Sequence, residues 1–416
     1  MRGLTRPIAL SLLVLACGRP ALAPSSDPLR GYLSDALVRR ARLEADLVHP
    51  KNGYSTLRLA HYASGDDQDW DRLPEWNPKA APWVEPIGGA LEPLAISPAA
   101  RAGDPAALRA LGAIAFERYP VQISPAAERA IHDERSARSF GLCTIAGRVG
   151  GLVKLRTDDG VEHVSYSCAT CHSAVRDGKP ALGVACDTLD VGRLTVSAFG
   201  SRPGAELDRW GPGRVDVTTD DGTEPVRIPD LRPIRDVQFL HHTASFAQHD
   251  VVSLAVRLET LVIVSNGRHV RPPREVTLGL ALYLWSLADQ LPRKDALDGE
   301  ETRGAGLFAA HCASCHGGAG FGGGAVPVAV VGTDGHLGAS RERGTGRYRV
   351  PSLRGVSSRG LLLHDASISG VDELLDPARL APDYRGRLGG PIAGHEWGTR
   401  LSTEDRGALA AFLRSL

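Results

Sequence analysis

Two copies of one short pattern constrain this chain more than any other feature. Residues 168–172 and 312–316 both read C-x-x-C-H. Two thiols at this spacing add to the two vinyl groups of one haem, and the adjacent His becomes the proximal iron ligand. Zinc binding is the weaker alternative because neither copy has a second C-x-x-C or H-x-x-x-H nearby. A thiol redox pair is the second alternative to haem attachment. We therefore expect two covalently bound c-type haems, attached through Cys168, Cys171 and His172 in the first case and Cys312, Cys315 and His316 in the second.

Bulk composition excludes some partners and one kind of ligand. The 416 residues carry 48 Lys and Arg against 48 Asp and Glu, so the formal net charge is zero. Electrostatics therefore does not favour binding to nucleic acid or to an anionic membrane surface. Met1 is the only methionine, so no later methionine is present as the sixth iron ligand that is usual in electron-transfer cytochromes.

The N-terminus has the pattern of an export signal. Two arginines precede the apolar run Ile8–Ala16, which is too short to span a bilayer. The bacterial lipobox pattern of residues 14–17 favours a lipoprotein-type signal peptide over 1–16, with Cys17 lipidated. Cleavage after Ala23 is the alternative, although Pro24 would follow the cut. The prediction is a protein of the periplasm or cell envelope that touches a membrane only through a lipid anchor.

Two further cysteines, Cys143 and Cys186, flank the first pentad. Outside the cytosol such leftover cysteines tend to pair, so a disulfide between them is expected. Two small buried thiols are the alternative.

The rest of the N-terminal region predicts a segment that wraps around the haem-bearing part. Asp27-Pro28 is a helix start, and apolar residues at helical spacing continue to His49-Pro50. A Pro- and Trp-bearing irregular run follows, which makes 17–104 an N-terminal helix plus an irregular wrapping segment. Further along, residues 152–156 and 161–166 alternate around a Gly-containing turn and predict a β-hairpin directly before the first pentad.

An internal repeat divides the remainder. Residues 227–234 (RIPDLRPI) match 349–356 (RVPSLRGV), and the match continues without gaps to Ser245 and Ser367. The chain therefore reads as two homologous modules, 105–295 and 296–416. The predicted fold class is mainly α, with two tandem cytochrome-c-like haem domains, a β-hairpin insertion in the first and the irregular N-terminal wrapping segment.

Several motifs resemble a known superfamily. Tyr348–Arg354, Leu363–Asp365 and the final helix ending at Leu416 resemble the bacterial di-haem cytochrome c peroxidase / MauG superfamily. Gly332-Thr333-Asp334, residues 394–399 (GHEWGT) and residues 210–216 (WGPGRVD) are closer to its rubber-oxygenase-like di-haem branch. The resemblance covers the chain from about residue 140 to its end. It implies redox chemistry at one haem and electron relay through the other.

The sixth ligand decides between chemistry and simple electron transfer, because a strong sixth ligand closes the iron. The resemblance implies His395 as a metal ligand of the second haem, with His364 as the runner-up. For the first haem the sequence leaves two options, an open iron or ligation by a His from the 241–269 region. His242, which matches His364 through the repeat, and His269 are the distal or haem-pocket candidates there.

Other polar candidates have equally plausible structural roles. Arg232 and Arg354 occupy matched repeat positions and are candidates to bind haem propionates, or to form ordinary salt bridges. Trp210 is a candidate electron bridge between the haems, or a packing residue.

These features predict an exported di-haem c-type cytochrome with peroxidase-like or oxygen-activating chemistry at the first haem. The expected partners are a redox protein or a small oxidant such as peroxide or dioxygen. A pure electron carrier with both haems six-coordinate, and an oxygenase of an organic substrate, are the alternatives.

Overall fold

The computed structural model describes residues 27–63 and 94–416, apart from gaps at 146, 157–159, 202–205, 217–223, 267–270, 292–293 and 295. The predicted signal peptide with Cys17, the Trp-bearing run and His269 lie outside the described residues. The chain is mainly helical, as predicted. Across the described ranges, no helix has the length and apolar character needed to cross a membrane.

The helices follow one another in this order: α1 (Pro28–Ser34), α2 (Ala36–Asp46), α3 (Gly53–Ala63), α4 (Pro98–Arg101), α5 (Pro105–Arg118), α6 (Pro125–Ala130), α7 (Glu134–Ser139), α8 (Cys168–Cys171), α9 (Val191–Phe199), α10 (Val251–Ser265), α11 (Arg274–Ser286), α12 (Gly299–His311), α13 (Ala313–His316), α14 (Val328–Val331), α15 (His336–Ala339), α16 (Val371–Leu375) and α17 (Thr403–Ser415). Short 3₁₀ turns cover Leu207–Arg209, Arg232–Asp236, Leu287–Gln290, Ala319–Phe321, Val356–Ser358 and Pro377–Leu380.

The strands are short: β1 (Gln122–Ile123), β2 (Thr144–Ile145), β3 (Arg148–Val149), β4 (Leu152–Arg156), β5 (Glu162–Tyr166), β6 (Ser173–Arg176), β7 (Lys179–Leu182), β8 (Arg214–Val215), β9 (Val226–Arg227), β10 (Phe239–Leu240), β11 (Phe246–Ala247), β12 (Ala325–Pro327) and β13 (Arg347–Arg349). β1, β5 and β4 form a three-stranded antiparallel sheet in that order. The others pair antiparallel as β2–β3, β6–β7, β8–β9, β10–β11 and β12–β13.

The first helical region is divided where the sequence predicts one helix. Asp27 caps α1 by accepting a hydrogen bond from Leu29 N, as predicted. The chain then breaks at Asp35, whose backbone is extended (φ −128°) and whose carboxylate accepts from Leu37 N at 2.8 Å. A side-chain cap of this kind is worth roughly 1 kcal/mol. Asp35 therefore ends α1 and starts α2, which the apolar periodicity alone did not indicate.

These N-terminal helices pack on α10 and α11. α1 contacts α10 and α11, while α2 and α3 contact α10. The fully buried Glu259 of α10 accepts hydrogen bonds from the hydroxyls of Tyr32 (2.8 Å) and Tyr62 (3.0 Å). A buried carboxylate needs such donors. The pairing fixes α3 beside α10, and this places Tyr54 against the first haem site.

Glycines let long helices approach closely in each module. A Cβ atom added to Gly112 of α5 would lie 1.9 Å from the carbonyl oxygen of Gly279 in α11. A Cβ atom added to Gly304 of α12 would lie 2.0 Å from the carbonyl oxygen of Ala408 in α17. A side chain at either position would force the helices apart. Each helix pair packs beside one of the C-x-x-C-H turns.

The segment before each pentad differs. In the first module β4 pairs with β5 over five residue pairs, and Gly151, just before β4, accepts hydrogen bonds from Ser167 N and from the hydroxyl of Thr170 (2.7 Å). The three-stranded sheet therefore holds α8 from one side. In the second module Cys312 directly follows α12 and caps its C-terminus, with its backbone N–H donating to Phe308 O at 2.8 Å.

The internal repeat is also visible in the backbone. His241 and Leu363 have φ values of +64° and +63°, and Ala244 and Ala366 have +53° and +60°. Residues other than glycine rarely adopt positive φ. Because these two pairs occupy matched repeat positions, both segments make the same unusual turn beside their haem sites.

The apolar core falls into three clusters. Among the described residues, one cluster joins the N-terminal helices to α5, α10 and α11. The second is formed by residues from Ala126 to Ile228, and the third by residues from Phe308 to Leu413. The domain limits at 104/105 and 295/296 stay predictions.

Candidate haem sites

Each pentad forms one helical turn whose histidine is held by a backbone carbonyl. The Nδ1–H of His172 donates to the carbonyl oxygen of Pro229 at 3.0 Å, and that of His316 donates to Phe321 O at 3.0 Å. Since a carbonyl only accepts, these bonds fix the tautomer and leave Nε2 with its lone pair. Burial lowers the pKa of His172 to about 4 and also lowers the pKa of His316. Both rings are therefore neutral near pH 7 and suited to bind iron.

A cavity adjoins each pentad. The first pocket is lined by the first pentad and by apolar and polar side chains from α3, α10 and the loops around β9 and β10, including Tyr54, Cys168, Cys171, His172, Leu240, His241, Leu254, Arg257, Leu258 and Leu261. The second pocket is lined by the second pentad and by side chains from α12, α17 and the loop after residue 390, including Phe308, Cys312, Cys315, His316, His364, His395, Trp397, Leu409 and Leu413. Mostly apolar walls with a few polar groups suit a haem.

Zinc and thiol chemistry fit these sites less well. The described part of the chain has no cluster of three or more His, Cys, Asp or Glu side chains placed to hold a metal. Burial raises the pKa of the Cys168 and Cys171 thiols to about 12. Reactive redox cysteines require a lowered pKa, so thioether formation is the better use of these sulfurs.

His395 faces His316 across the second pocket. Their ring centroids are 6.5 Å apart with an interplanar angle of 67°. If both rings bound one metal ion through bonds of about 2 Å each, the distance between their centroids would be close to this value, once the distance from each nitrogen to its ring centre is added. Burial lowers the pKa of His395 to about 4, so this ring is also neutral. The two imidazoles have the spacing of a pair that shares one metal ion.

The other candidate histidines belong to the walls. His364 stacks on Tyr348 with ring centroids 4.3 Å apart, and its Nε2 lies 3.2 Å from the tyrosine hydroxyl. His242 donates from Nε2 to the carbonyl oxygen of Arg227 at 3.0 Å, and it lines both pockets. These contacts favour a supporting role for both residues.

A hydrogen-bonded polar group around His241 lies in the first pocket. His241 Nδ1 is 2.8 Å from the hydroxyl of Ser245, and Arg257 Nε donates to His241 Nε2 at 3.0 Å. The hydroxyl of Tyr54 lies 3.4 Å from the same Nε2. Both ring nitrogens of His241 are therefore engaged within the protein. His241 belongs to the 241–269 region that the sequence offered for the first haem, but nothing in the sequence connected Tyr54 with it.

The arginines proposed for the propionates are used elsewhere. Arg232 forms an ion pair with Asp230 (Nη2–Oδ2 2.5 Å), and Arg354 pairs with Asp236 (3.1 Å). Neither lines a haem pocket. Of the two roles that the sequence allowed, the structure favours the salt bridge, because the short loop places each guanidinium beside a carboxylate. Three other arginines, Arg227, Arg349 and Arg359, line both pockets.

For Trp210 and the cysteine pair, the structure shows packing and free thiols, which are the alternatives to an electron bridge and a disulfide. Trp210 is buried, with its Cβ against Gly192 of α9, and it lines neither pocket, which fits packing and not an electron bridge. Cys143 and Cys186 are separate buried thiols in the structure and not a disulfide. Cys186 Sγ lies 3.5 Å from the carbonyl oxygen of Gly141. Oxidation to a disulfide stays a prediction.

Each C-x-x-C-H turn thus combines two cysteines, one neutral histidine and an adjoining apolar pocket, which are the features that a covalently bound haem requires. Residues 301–416 match the family model of cytochrome c. This part of the chain is a cytochrome c domain, and the protein is a haem redox protein. A comparison with curated protein sequences gives no match.

Two solved structures show weak similarity. One is the crystal structure of a MauG-like protein associated with microbial copper homeostasis, with 15% identity, a TM-score of 0.31, and coverage of 54% of this chain and 84% of that one. The other is hydrazine synthase of Kuenenia stuttgartiensis, with 16% identity, a TM-score of 0.34, and coverage of 83% and 99%. TM-scores this low establish neither a shared fold nor a shared activity.

Proposed function

We propose that the chain is an exported di-haem c-type cytochrome of the peroxidase / MauG type. In this proposal the first haem reduces peroxide or activates dioxygen, and the second relays electrons to it. The observation that carries the proposal is the difference between the pockets. The second has two neutral imidazoles with ring centroids 6.5 Å apart, whereas the first has a hydrogen-bonded group of Tyr54, His241 and Arg257.

The residues that would hold the haems are those of the pentads. Cys168 and Cys171 would carry the first haem and Cys312 and Cys315 the second. When bound, a haem supplies one-electron chemistry and, where its sixth position is free, a place for peroxide or dioxygen. The cytochrome c match covers only the second pentad, so the count of two haems belongs to the proposal.

The second pocket is suited to electron relay. His316 and His395 would both bind the second iron, and a bis-histidine site changes little on oxidation or reduction. Trp397, which is 36% exposed, lies with its ring centroid 5.3 Å from that of His395. Only the Trp397 side chain therefore separates His395 from solvent on this side, where a redox partner could dock.

The first pocket is suited to binding and protonating a small oxidant. His241 accepts a hydrogen bond from Arg257, and in this proposal it supports that side chain and does not bind iron. Arg257 brings a positive charge to the pocket, and Tyr54 brings a hydroxyl that can donate a proton. Leu254, Leu258 and Leu261 line the same cavity and limit the access of water. A fixed cation and a proton donor in an apolar site stabilise charge that develops during O–O cleavage.

The reduction of hydrogen peroxide requires both electrons and protons. Each hydrogen peroxide takes up two electrons and two protons and leaves as two waters. The electrons would come singly from a redox protein or a small one-electron donor, through the second haem. Export and lipid anchoring through Cys17 remain part of the proposal, in keeping with the sequence pattern.

Spectroscopy of the ferric protein tests the proposal. We expect one low-spin and one high-spin haem by EPR, and loss of the high-spin signal on adding cyanide. We also expect peroxide-dependent oxidation of a one-electron donor. Two low-spin signals that neither cyanide nor peroxide changes would instead establish a pure electron carrier. Dioxygen uptake that requires an added organic compound, without peroxide turnover, would favour an oxygenase.

A further inference from the structure

The two haem pockets share one wall. Arg227, Arg349 and Arg359 line both cavities, together with His242 and Pro351. Arg227 and Arg349 occupy the same position of the internal repeat, so each module contributes the first arginine of its R-x-P-x-L-R motif. We call these three residues the shared arginine wall.

Two of the three side chains in the shared arginine wall are buried, and Arg349 is half-buried. Arg227 is 5% exposed and Arg359 is 7% exposed. Burial lowers the pKa of Arg227, Arg349 and Arg359 to about 10, which still leaves all three guanidinium groups charged near pH 7. A buried charge without a counter-charge costs several kcal/mol, so a partner is required.

The hydrogen bonds of these side chains do not supply that charge. Arg227 donates to Leu363 O (2.9 Å), Arg349 to Phe239 O (3.3 Å) and Arg359 to Ser352 O (2.8 Å). These acceptors are backbone carbonyls, which are neutral. The Nε atoms of Arg349 and Arg359 are buried and have no hydrogen-bond partner among the described residues.

Nearby carboxylates offset this charge only in part, because the aspartates around Arg227 act on it from beyond ion-pair distance. Within the described ranges, neither Arg227 nor Arg349 has a carboxylate oxygen within ion-pair distance, and Arg359 has one, Asp230, at 4.0 Å. Asp230 is already paired with Arg232, whose Nε and Nη2 both donate to its oxygens. The shared arginine wall therefore keeps an excess of positive charge that faces both pockets.

We propose that the shared arginine wall would bind the propionate carboxylates of the haems held in both pockets. Haem is the ligand that both pockets suit, and its two carboxylates are the anions it carries. The planar guanidinium group matches a carboxylate in shape and donates two hydrogen bonds. This inference rests on the proposed content of two haems and is independent of what the first haem reacts with.

In this arrangement the midpoint potentials of both haems depend on the same buried charges. A cation buried beside a haem disfavours the oxidised iron, which carries one more positive charge, and the effect is strong where the dielectric constant is low. Because each wall arginine borders both pockets, the loss of one charge is expected to lower the midpoint potentials of both haems. An arginine bordering one pocket alone would move only one potential.

Spectroelectrochemical titration of the holo-protein tests this inference. The variants are Arg349→Gln and Arg359→Gln, which each remove one charge, and Arg349→Lys, which keeps it. Arg354→Gln is the matched control, because Arg354 comes from the same motif but pairs with Asp236 and lines neither pocket. Haem content per chain is measured for each variant by the pyridine haemochrome absorbance.

We expect Arg349→Gln and Arg359→Gln each to shift both potentials downward, Arg349→Lys to shift them less, and Arg354→Gln to leave them in place. Two neutralised positions keep the test independent of whether one variant folds. A shift confined to one haem, or no shift beyond that of the control, overturns the shared wall alone. A chain that binds a single haem overturns the di-haem proposal as well.

Discussion

Replacing His395 by glycine is the most direct test of the sixth ligand proposed for the second haem. The backbone of His395 is in the left-handed region (φ +45°), and Gly394 before it has φ +75°. A left-handed conformation costs a residue with a Cβ roughly 1–2 kcal/mol, which glycine avoids. His395→Gly thus removes the imidazole and relieves backbone strain together.

The structure indicates that the variant stays folded. The main losses are the buried ring and its edge contact with Trp397 at 5.3 Å, and such aromatic pairs are worth about 0.5–1.5 kcal/mol. The backbone contacts of residue 395 remain, with His395 N donating to Val331 O at 2.7 Å and Arg379 donating to His395 O at 2.8 Å. Strain relief and lost packing nearly cancel, so we expect stability to change by less than about 2 kcal/mol.

Although the stability changes little, the EPR spectrum of His395→Gly should change clearly. One of the two haems should lose its low-spin EPR signal and become high-spin, while the signals of the other haem stay as in the unmodified protein. Added imidazole should enter the space that the side chain leaves and restore the low-spin signal. His364→Ala is the control, since His364 lines the same pocket but is stacked on Tyr348.

If His395→Gly leaves every haem signal unchanged, His395 does not bind iron. If His364→Ala converts the second haem instead, the runner-up is the ligand. A change in both haems of His395→Gly would mean that the variant disturbs the fold, which circular dichroism can check.

Three further predictions concern other parts of the chain. Arg257→Leu removes the cation that donates to His241, and we expect it to lower the rate constant for peroxide by about 10²-fold in stopped-flow measurements, with haem content unchanged. Gly304→Ala places a Cβ atom 2.0 Å from Ala408 O, and we expect a loss of about 1–3 kcal/mol in chemical unfolding. Burial raises the pKa of Asp46 to about 6, above the ordinary value of 3.8, so its contribution to stability is present below pH 3.8 and is lost as the pH rises through 6. Asp46→Asn should therefore raise the free energy of unfolding at pH 7.5 by about 1–2 kcal/mol after allowance for solvent screening, seen as a higher thermal midpoint, and have little effect at pH 4.

Local patterns were read correctly from the sequence. The Asp27 cap and the mainly helical class follow from residues near one another in the chain. The cytochrome c match likewise agrees with the second pentad. The division at Asp35 was missed because a capping aspartate and a helix-interior aspartate look alike until the backbone angle is known.

The arginines show where such reading stops. The R-x-P-x-L-R motif pointed to Arg232 and Arg354, but both lie beside carboxylates, whereas the first arginine of each motif lines both pockets. The spacing within a motif does not say which way its side chains point. Tyr54 is a similar case, since it reaches the first pocket only because α3 packs on α10.

The sequence by itself determined the chemistry that depends on neighbouring residues: two C-x-x-C-H pentads, each able to attach one haem and supply its proximal histidine. The tertiary structure decided everything that depends on distant residues meeting. It brings His395 opposite His316, engages both nitrogens of His241, and turns three arginines toward both pockets. The physical reason is that haem attachment requires a spacing along the chain, whereas the sixth ligand and the charge around a haem are set by the packing of the whole molecule.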